Sequence, residues 1–304
     1  MSSAVATEQV RAWRPPVPGV SEVLHAEFHE HAYPPHTHDT WTVFVVDDGQ
    51  IRYDLDRHHR GAGGSMVGVL PPHVVHDGRP ATSRGYRKRV IYLETSLLSE
   101  GLVGRAVDEP SIEDVRLRHR LDVLHERLRH PDEALEAETH LAFVAERIRV
   151  HLEGHADEED PGLASELAER LRELLDAHEF EVVTLAATGE SLGASPAHLV
   201  RCFSQTFGIA PHAYVLGRRI EAARQRLLDG EPITQVAASV GFCDQSHLTR
   251  HFKRHVGTTP GRYGTSVDNR NRVDFDQRLG LGQRLDPDQR VGGPVLTEHR
   301  HPGS

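Results

Sequence analysis

Cysteine is nearly absent from the chain, which holds only Cys202 and Cys243. Two cysteines are too few for a disulfide framework, and their separation is not that of a metal-binding pair. Both lie in helix-type sequence, so they are expected to serve packing. Long apolar runs are also missing. No segment approaches the ~20 consecutive apolar residues of a membrane-spanning helix. The first 25 residues mix Glu, Arg and Pro and contain no apolar stretch of signal-peptide length. These absences predict a cytoplasmic protein. No Ser/His/Asp grouping, Gly-rich phosphate loop or paired carboxylate stands out either, so neither an enzyme nor a cofactor is expected.

What the chain does contain is unevenly spread. Its 304 residues suggest two domains, and 38% apolar with 26% charged residues is ordinary for a globular protein. The formal net charge is −10. Yet from Pro196 to Tyr263 nine basic residues face four acids: Arg201, Arg218, Arg219, Arg224, Arg226, Arg250, Lys253, Arg254 and Arg262 against Glu221, Asp229, Glu231 and Asp244. A local basic surface on an acidic protein can still contact phosphate.

Residues 1–22 contain the breaker-rich "WRPPVPG" and read as an arm. Residues 23–104 carry short β-prone runs, "EVLHAEF", "WTVFVV", "IRYDL", "SMVGVL" and "RVIYL", separated by Gly- and Pro-rich turns. That pattern suggests a barrel or sandwich. The period then changes to helical over 105–153. Leu117, Leu121, Leu124 and Leu128 form one stripe, and Leu141, Ala145, Ile148 and Leu152 a second. The first stripe is expected to bury against a partner chain, making this hairpin the dimerisation element. Residues 154–161 read as a linker, 162–263 as a helical domain, and 264–304 as a disordered tail.

Within the helical domain one pattern occurs twice. In the second copy Ile233, Val236, Ala237 and Val240 form a short helix, Gly241 suits a tight turn, and Asp244 caps the next helix. Leu248, Phe252 and Val256 then share one face, leaving Gln245, Ser246, His247, Thr249, Arg250, Lys253 and Arg254 on the others. In the first copy Leu185 and Ala186 precede Ser191 to Gly193, and Ser195 caps a helix opening with Pro196. Leu199 and Phe203 point inward. A short helix, a glycine turn and a second helix with a polar outer face make a helix-turn-helix.

At this density the chain resembles the DNA-binding domain of AraC/XylS-type bacterial transcription regulators. The landmarks include Leu185, Ser195, Leu199, Arg201, Phe203, Gly208, Pro211, Tyr214, Arg219, Gly241, Phe242, Arg250, Phe252, Gly257, Pro260 and Tyr263. Leu248 stands where an aromatic is common, and Ser204 where a base is usual. Groove geometry then assigns base reading to Arg250 and Gln245, with Ser246, His247, Thr249 and Arg254 beside them and Lys253 on phosphate. In the first unit Ala197, His198, Arg201 and Gln205 are best placed, and Val200 could pack on a thymine methyl.

Nine of the 23 histidines fall between 25 and 76. His36 and His38, two apart on a strand, share a face, and His76 can join them. This is similar to a cupin barrel, except that "DTWTV", with Thr40 and Thr42, lacks the metal-binding Glu that catalytic cupins carry after the HxH pair. A metal-free ligand-sensing barrel, a barrel holding metal through His36, His38 and His76, and a cupin oxygenase fused to a DNA-binding domain all stand as readings; the first is preferred. The effector site is placed at His36, His38, Thr42, His76 and Tyr92. The resemblance implies an α+β multidomain chain, with an N-terminal cupin-like β-barrel, a helical hairpin and a C-terminal all-α double helix-turn-helix. Its expected partners are a double-stranded DNA operator, a small-molecule effector, a second copy of itself and RNA polymerase, with nucleoid association when DNA is bound.

Overall fold

A computed structural model describes residues 8–154 and 161–265. The first seven residues of the expected arm, most of the expected linker and the expected tail from 266 onward lie outside the described residues.

The N-terminal part carries strands β1 (Gln9–Trp13), β2 (Val20–Phe28), β3 (Tyr33–His36), β4 (Trp41–Gly49), β5 (Ile51–Leu55), β6 (His58–Ala62), β7 (Val67–Leu70), β8 (His76–Pro80), β9 (Tyr86–Leu93) and β10 (Ser111–Ile112). They form a six-stranded sheet, β1-β2-β9-β4-β7-β10, and a four-stranded sheet, β3-β8-β5-β6. Phe28, Phe44, Val46, Ile51, Tyr53, Leu55 and Val90 pack between them. This is the cupin-like, mixed α+β architecture. Two boundaries differ from expectation. The arm contains β1, paired antiparallel from Gln9–Glu27 to Trp13–Val23, so its second half belongs to the sheet. Strand β10 lies beyond residue 104 yet pairs with β7.

The run Trp41 to Val46 is buried at every position. Period-two geometry explains it: Phe44 and Val46 face the barrel interior, while Trp41, Val43 and Val45 face outward. Helices cover that outer face. After α1 (Val103–Asp108), α2 (Val115–Arg127) and α3 (Ala134–Glu153) form the hairpin. Leu117, Leu121, Leu124 and Leu128 join Trp41, Val43, Val45, Val67, Val69, Ile91 and Leu93 in one core, together with Leu141, Val144, Ile148 and Leu152 of α3. The leucine stripe is therefore not a free surface awaiting a partner chain. The outer face of the six-stranded sheet, apolar where Trp41, Val43, Val45, Val67, Val69, Ile91 and Leu93 project from it, takes it instead.

The C-terminal part is helical: α4 (Pro161–Ala177), α5 (Leu185–Leu192), α6 (Pro196–Phe207), α7 (Pro211–Leu228), α8 (Ile233–Ser239), α9 (Gln245–Val256) and α10 (Pro260–Thr265). Helix pairs α5–α6 and α8–α9 are the two helix-turn-helix units. Ser195 Oγ accepts from the His198 amide at 3.2 Å, and Asp244 Oδ1 from the His247 amide at 2.7 Å, capping α6 and α9. Gly241 takes φ +80°, and a Cβ there would stand 2.7 Å from the Phe180 carbonyl oxygen, so the turn into α9 requires glycine. Among the described residues no helix is long and apolar enough to cross a membrane.

Candidate functional site

Two regions gather chemistry-bearing residues. The first is the outer surface of the helix-turn-helix units. Gln205, Gln245, Ser246, Lys253 and Arg254 are exposed, Thr249 half-buried and Arg250 exposed. The expectation fails for two residues in this arrangement: Val200 is fully buried and His247 only 7% exposed. Their faces are covered by the hairpin. Val200 and Ala197 pack with Ala142 of α3 and with Leu185. His247 lies against Asp132 and Phe242.

The covering surface is acidic. Arg201 Nη1 contacts Glu146 Oε1 at 2.6 Å. Arg250 Nη2 reaches Asp132 Oδ2 and Glu133 Oε1, each at 2.9 Å. The His251 ring stands 3.4 Å from Glu133 Oε1. Glu138 Oε2 accepts from the Leu185 amide and from the Ala186 amide, sitting on the N-terminus of α5 where a carboxylate is favoured. Burial nevertheless pushes Glu138 up to about 7. Carboxylates of the turn 131–133 and of α3 thus occupy both arginines that best fit base reading. Sequence periodicity could not reveal this, since it shows which face is polar but not what docks on it.

The second region is the barrel interior. His36, His38, Thr42, His76 and Tyr92 all line one cavity of about 90 Å³, with Tyr33, Tyr53, Asp77, Lys88 and several apolar side chains. Ring centroids lie 4.5 Å apart for His36–His76 and 5.0 Å for His38–His76. His36 Nδ1 stands 2.7 Å from the Pro34 carbonyl and His76 Nδ1 3.0 Å from that of Val74. A carbonyl only accepts, so both Nδ1 atoms donate, and in the neutral ring this tautomer leaves the lone pair on Nε2. Burial first, then the positive charge potential of His76 and His36, pushes His38 down to about 4. The Thr42 hydroxyl is buried without a hydrogen-bond partner.

Lys88 was absent from the expected site. Its ammonium sits 4.4 Å above the Tyr33 ring, and no carboxylate among the described residues pairs with it. Burial pushes its pKa down to about 8. The signal existed: Lys88, Val90 and Tyr92 alternate on β9, so Tyr92 facing inward places Lys88 inward too.

As a metal centre the barrel is half suited. The three imidazoles each offer a donor within 4.8 Å of the others, which fits a zinc- or iron-class cation. The charge does not fit as well. Asp39 is turned to solvent beside His73, and Lys88 adds an ammonium to the same chamber. The carboxylate that does line the chamber, Asp77, is taken up by the Asp54 amide at 2.7 Å and by Arg79 at 3.1 Å, and it is not among the three donors that converge.

Two family models match the chain: an AraC-like ligand binding domain over residues 18–144 and a helix-turn-helix domain over 189–266. The chain is 28% identical over 225 residues to the uncharacterized HTH-type transcriptional regulator YbfI of Bacillus subtilis, spanning 71% of this chain and 81% of that protein. It is 30% identical over 101 residues to the HTH-type transcriptional regulator ExsA of Pseudomonas aeruginosa, which is 33% of this chain and 36% of ExsA. Over 95 residues it is 30% identical to the virulence regulon transcriptional activator VirF of Yersinia enterocolitica, covering 31% of this chain and 35% of VirF. Beyond YbfI, then, the match spans about a third of each of these relatives.

Proposed function

Because the chain belongs to the AraC family of transcription regulators, we propose that it is held off DNA by its own acidic hairpin and released by a small acidic effector bound in the barrel. Arg250 on Asp132 and Glu133 carries this reading. A side chain placed to read guanine cannot do so while it is bound to two carboxylates. The protein acts by binding rather than by catalysis, in the cytoplasm and on the nucleoid, as a homodimer on paired half-sites with RNA polymerase as a further contact. Its dimer surface lies elsewhere than the leucine stripe.

The effector is expected to be small and to carry an anionic group. Lys88 supplies the countercharge, Thr42 Oγ1 and the Nε2 lone pairs supply polar contacts, and the remaining wall is apolar or aromatic. Transmission to DNA has a physical route. Strands β4 and β9 present Thr42, Phe44, Val90 and Tyr92 to the cavity and Trp41, Val43, Ile91 and Leu93 to the hairpin core. A ligand that shifts these strands also shifts the hairpin, whose α3 packs on the first helix-turn-helix unit and whose turn 131–133 holds the second. It acts only to the extent that it prefers one arrangement.

Base reading is tested on duplexes selected from a random library by the wild-type chain. Arg250→Ala should cost ~1–3 kcal/mol of preference for the selected sequence over random duplex. Lys253→Ala should weaken both alike. The ratio is informative because docking blocks selected and random DNA equally. Equal losses for Arg250→Ala would remove it as a base reader.

Lys88→Met tests the barrel. Without ligand it should raise stability at pH 7 by about 1–3 kcal/mol, since an unpaired ammonium leaves an apolar site. The folded pKa is depressed, so the wild type gains stability as pH rises from about 8 toward 10.5. Lys88→Met should lose that gain, and with it any thermal stabilisation by small carboxylates. A variant less stable than wild type would mean that Lys88 is paired. The anchored imidazoles favour a second reading, a resident cation on His36, His38 and His76. Elemental analysis separates the two: about one equivalent of metal, lost in His38→Ala, would favour the cation.

A further inference from the structure

Where the two domains meet, three metal-type donors converge outside both sites described above. Glu136 and His140 are one turn apart on α3, hence on one face. His212, at the start of α7, reaches them from the DNA-binding domain. Glu136 Oε1 lies 3.9 Å from His140 Nε2 and 3.8 Å from His212 Nε2. All three side chains are largely covered, at 12–17% exposure.

Ordinary hydrogen bonding does not account for this cluster. Among the described residues neither ring makes a hydrogen bond, and both Nδ1 atoms are buried without a partner. An unsatisfied buried polar group typically costs ~1–3 kcal/mol. Ionic attraction does not account for it either. Burial, reinforced by neighbouring positive charge, pushes His140 down to about 4 and His212 to about 3, so both rings stay neutral. Each therefore has a lone pair to give. Arg127 Nε stands 3.1 Å from Glu136 Oε1, but the same guanidinium also binds Glu133 at 2.7 Å. Glu133 is held by Arg250 as well as by Arg127, so Glu136 is the carboxylate left within reach of both imidazoles, a donor that the barrel trio does not include.

We propose that Glu136, His140 and His212 bind a divalent transition-metal ion of the zinc class across the boundary between the sensor and DNA-binding domains. Two imidazoles and a carboxylate are a common zinc donor set. Donor atoms around tetrahedral zinc stand about 3.4 Å apart at its usual bond lengths; the two edges to Glu136, at 3.8 and 3.9 Å, are close to that, and the third lies within 4.8 Å. Because the donors come from both domains, a bound ion favours the docked arrangement by mass action. That last consequence rests on the docked reading above; the site itself does not.

The test uses the full chain carrying His38→Ala and Cys243→Ser, which disables the barrel trio and a neighbouring group of Asp132, Cys243 and His247. Titrated with cobalt(II), this protein should take up one equivalent with the visible absorption of tetrahedral cobalt, and its melting temperature should rise. Adding His140→Gln or His212→Gln, one in each domain, should abolish both signals. Should one of these variants fail to fold, the other decides. Absence of stoichiometric uptake, or uptake undiminished in a folded His212→Gln protein, would overturn the proposal.

Discussion

Replacing Asp132 with asparagine and Glu133 with glutamine together should tighten binding of the full chain to duplex DNA by roughly a hundredfold. Glu133 is the stronger of the two holds. Its side chain is 2% exposed and faces Arg127, Arg250 and His251. Burial alone would push its carboxyl up, but His251, Arg127 and the charge of Arg250 outweigh that and hold it at about 2. A depressed carboxyl contributes above its ordinary pKa and loses its contribution only as pH falls toward about 2. Neutral pH therefore never releases this contact, whereas substitution does. Breaking a buried ion pair by removing one partner costs ~3–5 kcal/mol. Because Arg127 keeps Glu133 partly paired in the undocked state as well, about half of that is expected to weigh against docking. Asp132→Asn alone should give a smaller gain, ~3–10-fold, since it loses one contact to Arg250 while Glu133 remains. Fluorescence anisotropy on a labelled duplex reads both. Affinity unchanged or lowered in the double variant would mean that the hairpin does not occlude the DNA face.

Which parts of this arrangement were legible follows from how local their causes are. Asp244 and Ser195 as caps, Gly241 in the turn and the inward Leu248 and Phe252 each depend on a few consecutive residues, and the structure has them there. The five barrel residues were equally readable, because two-residue alternation and one Pro-rich turn place them. Strands β3, β6 and β8 were not. "YPPH", "HHRGA" and "HDGRP" have poor strand propensity and are held by pairing, with β3 and β6 on the edges where proline and charge are tolerated. The burial of Val200 and His247 was hidden for a different reason. Their helices have the expected polar face, but that face is closed by α3 over Val200 and by the turn 131–133 over His247, each more than 50 residues away in sequence. Lys88 shows the converse: the alternation was present, and the charge of the residue argued against looking inward.

Changing Leu121 and Leu124 together to glutamate should unfold the N-terminal domain rather than yield a folded monomer. Apolar periodicity alone fits either a subunit interface or an internal core, and packing decides. Both side chains are essentially fully buried within one chain, between the outer face of the sheet and α3. Leu→Ala at such a site costs ~2–5 kcal/mol. A glutamate adds the desolvation of a carboxylate with no cation beside it, a further few kcal/mol at least. Two such losses approach or exceed the ~5–15 kcal/mol that stabilises a whole domain. Leu121→Ala alone should leave a folded protein with a melting temperature lowered by several degrees or more. Circular dichroism melts together with light scattering separate the possibilities. A double glutamate variant that keeps its helical and strand signal while its mass halves would place the stripe at a subunit interface. The hairpin would then have to leave the sheet, and with it the acids that hold Arg201 and Arg250, so a dimer formed through this stripe could not also hold the docked state.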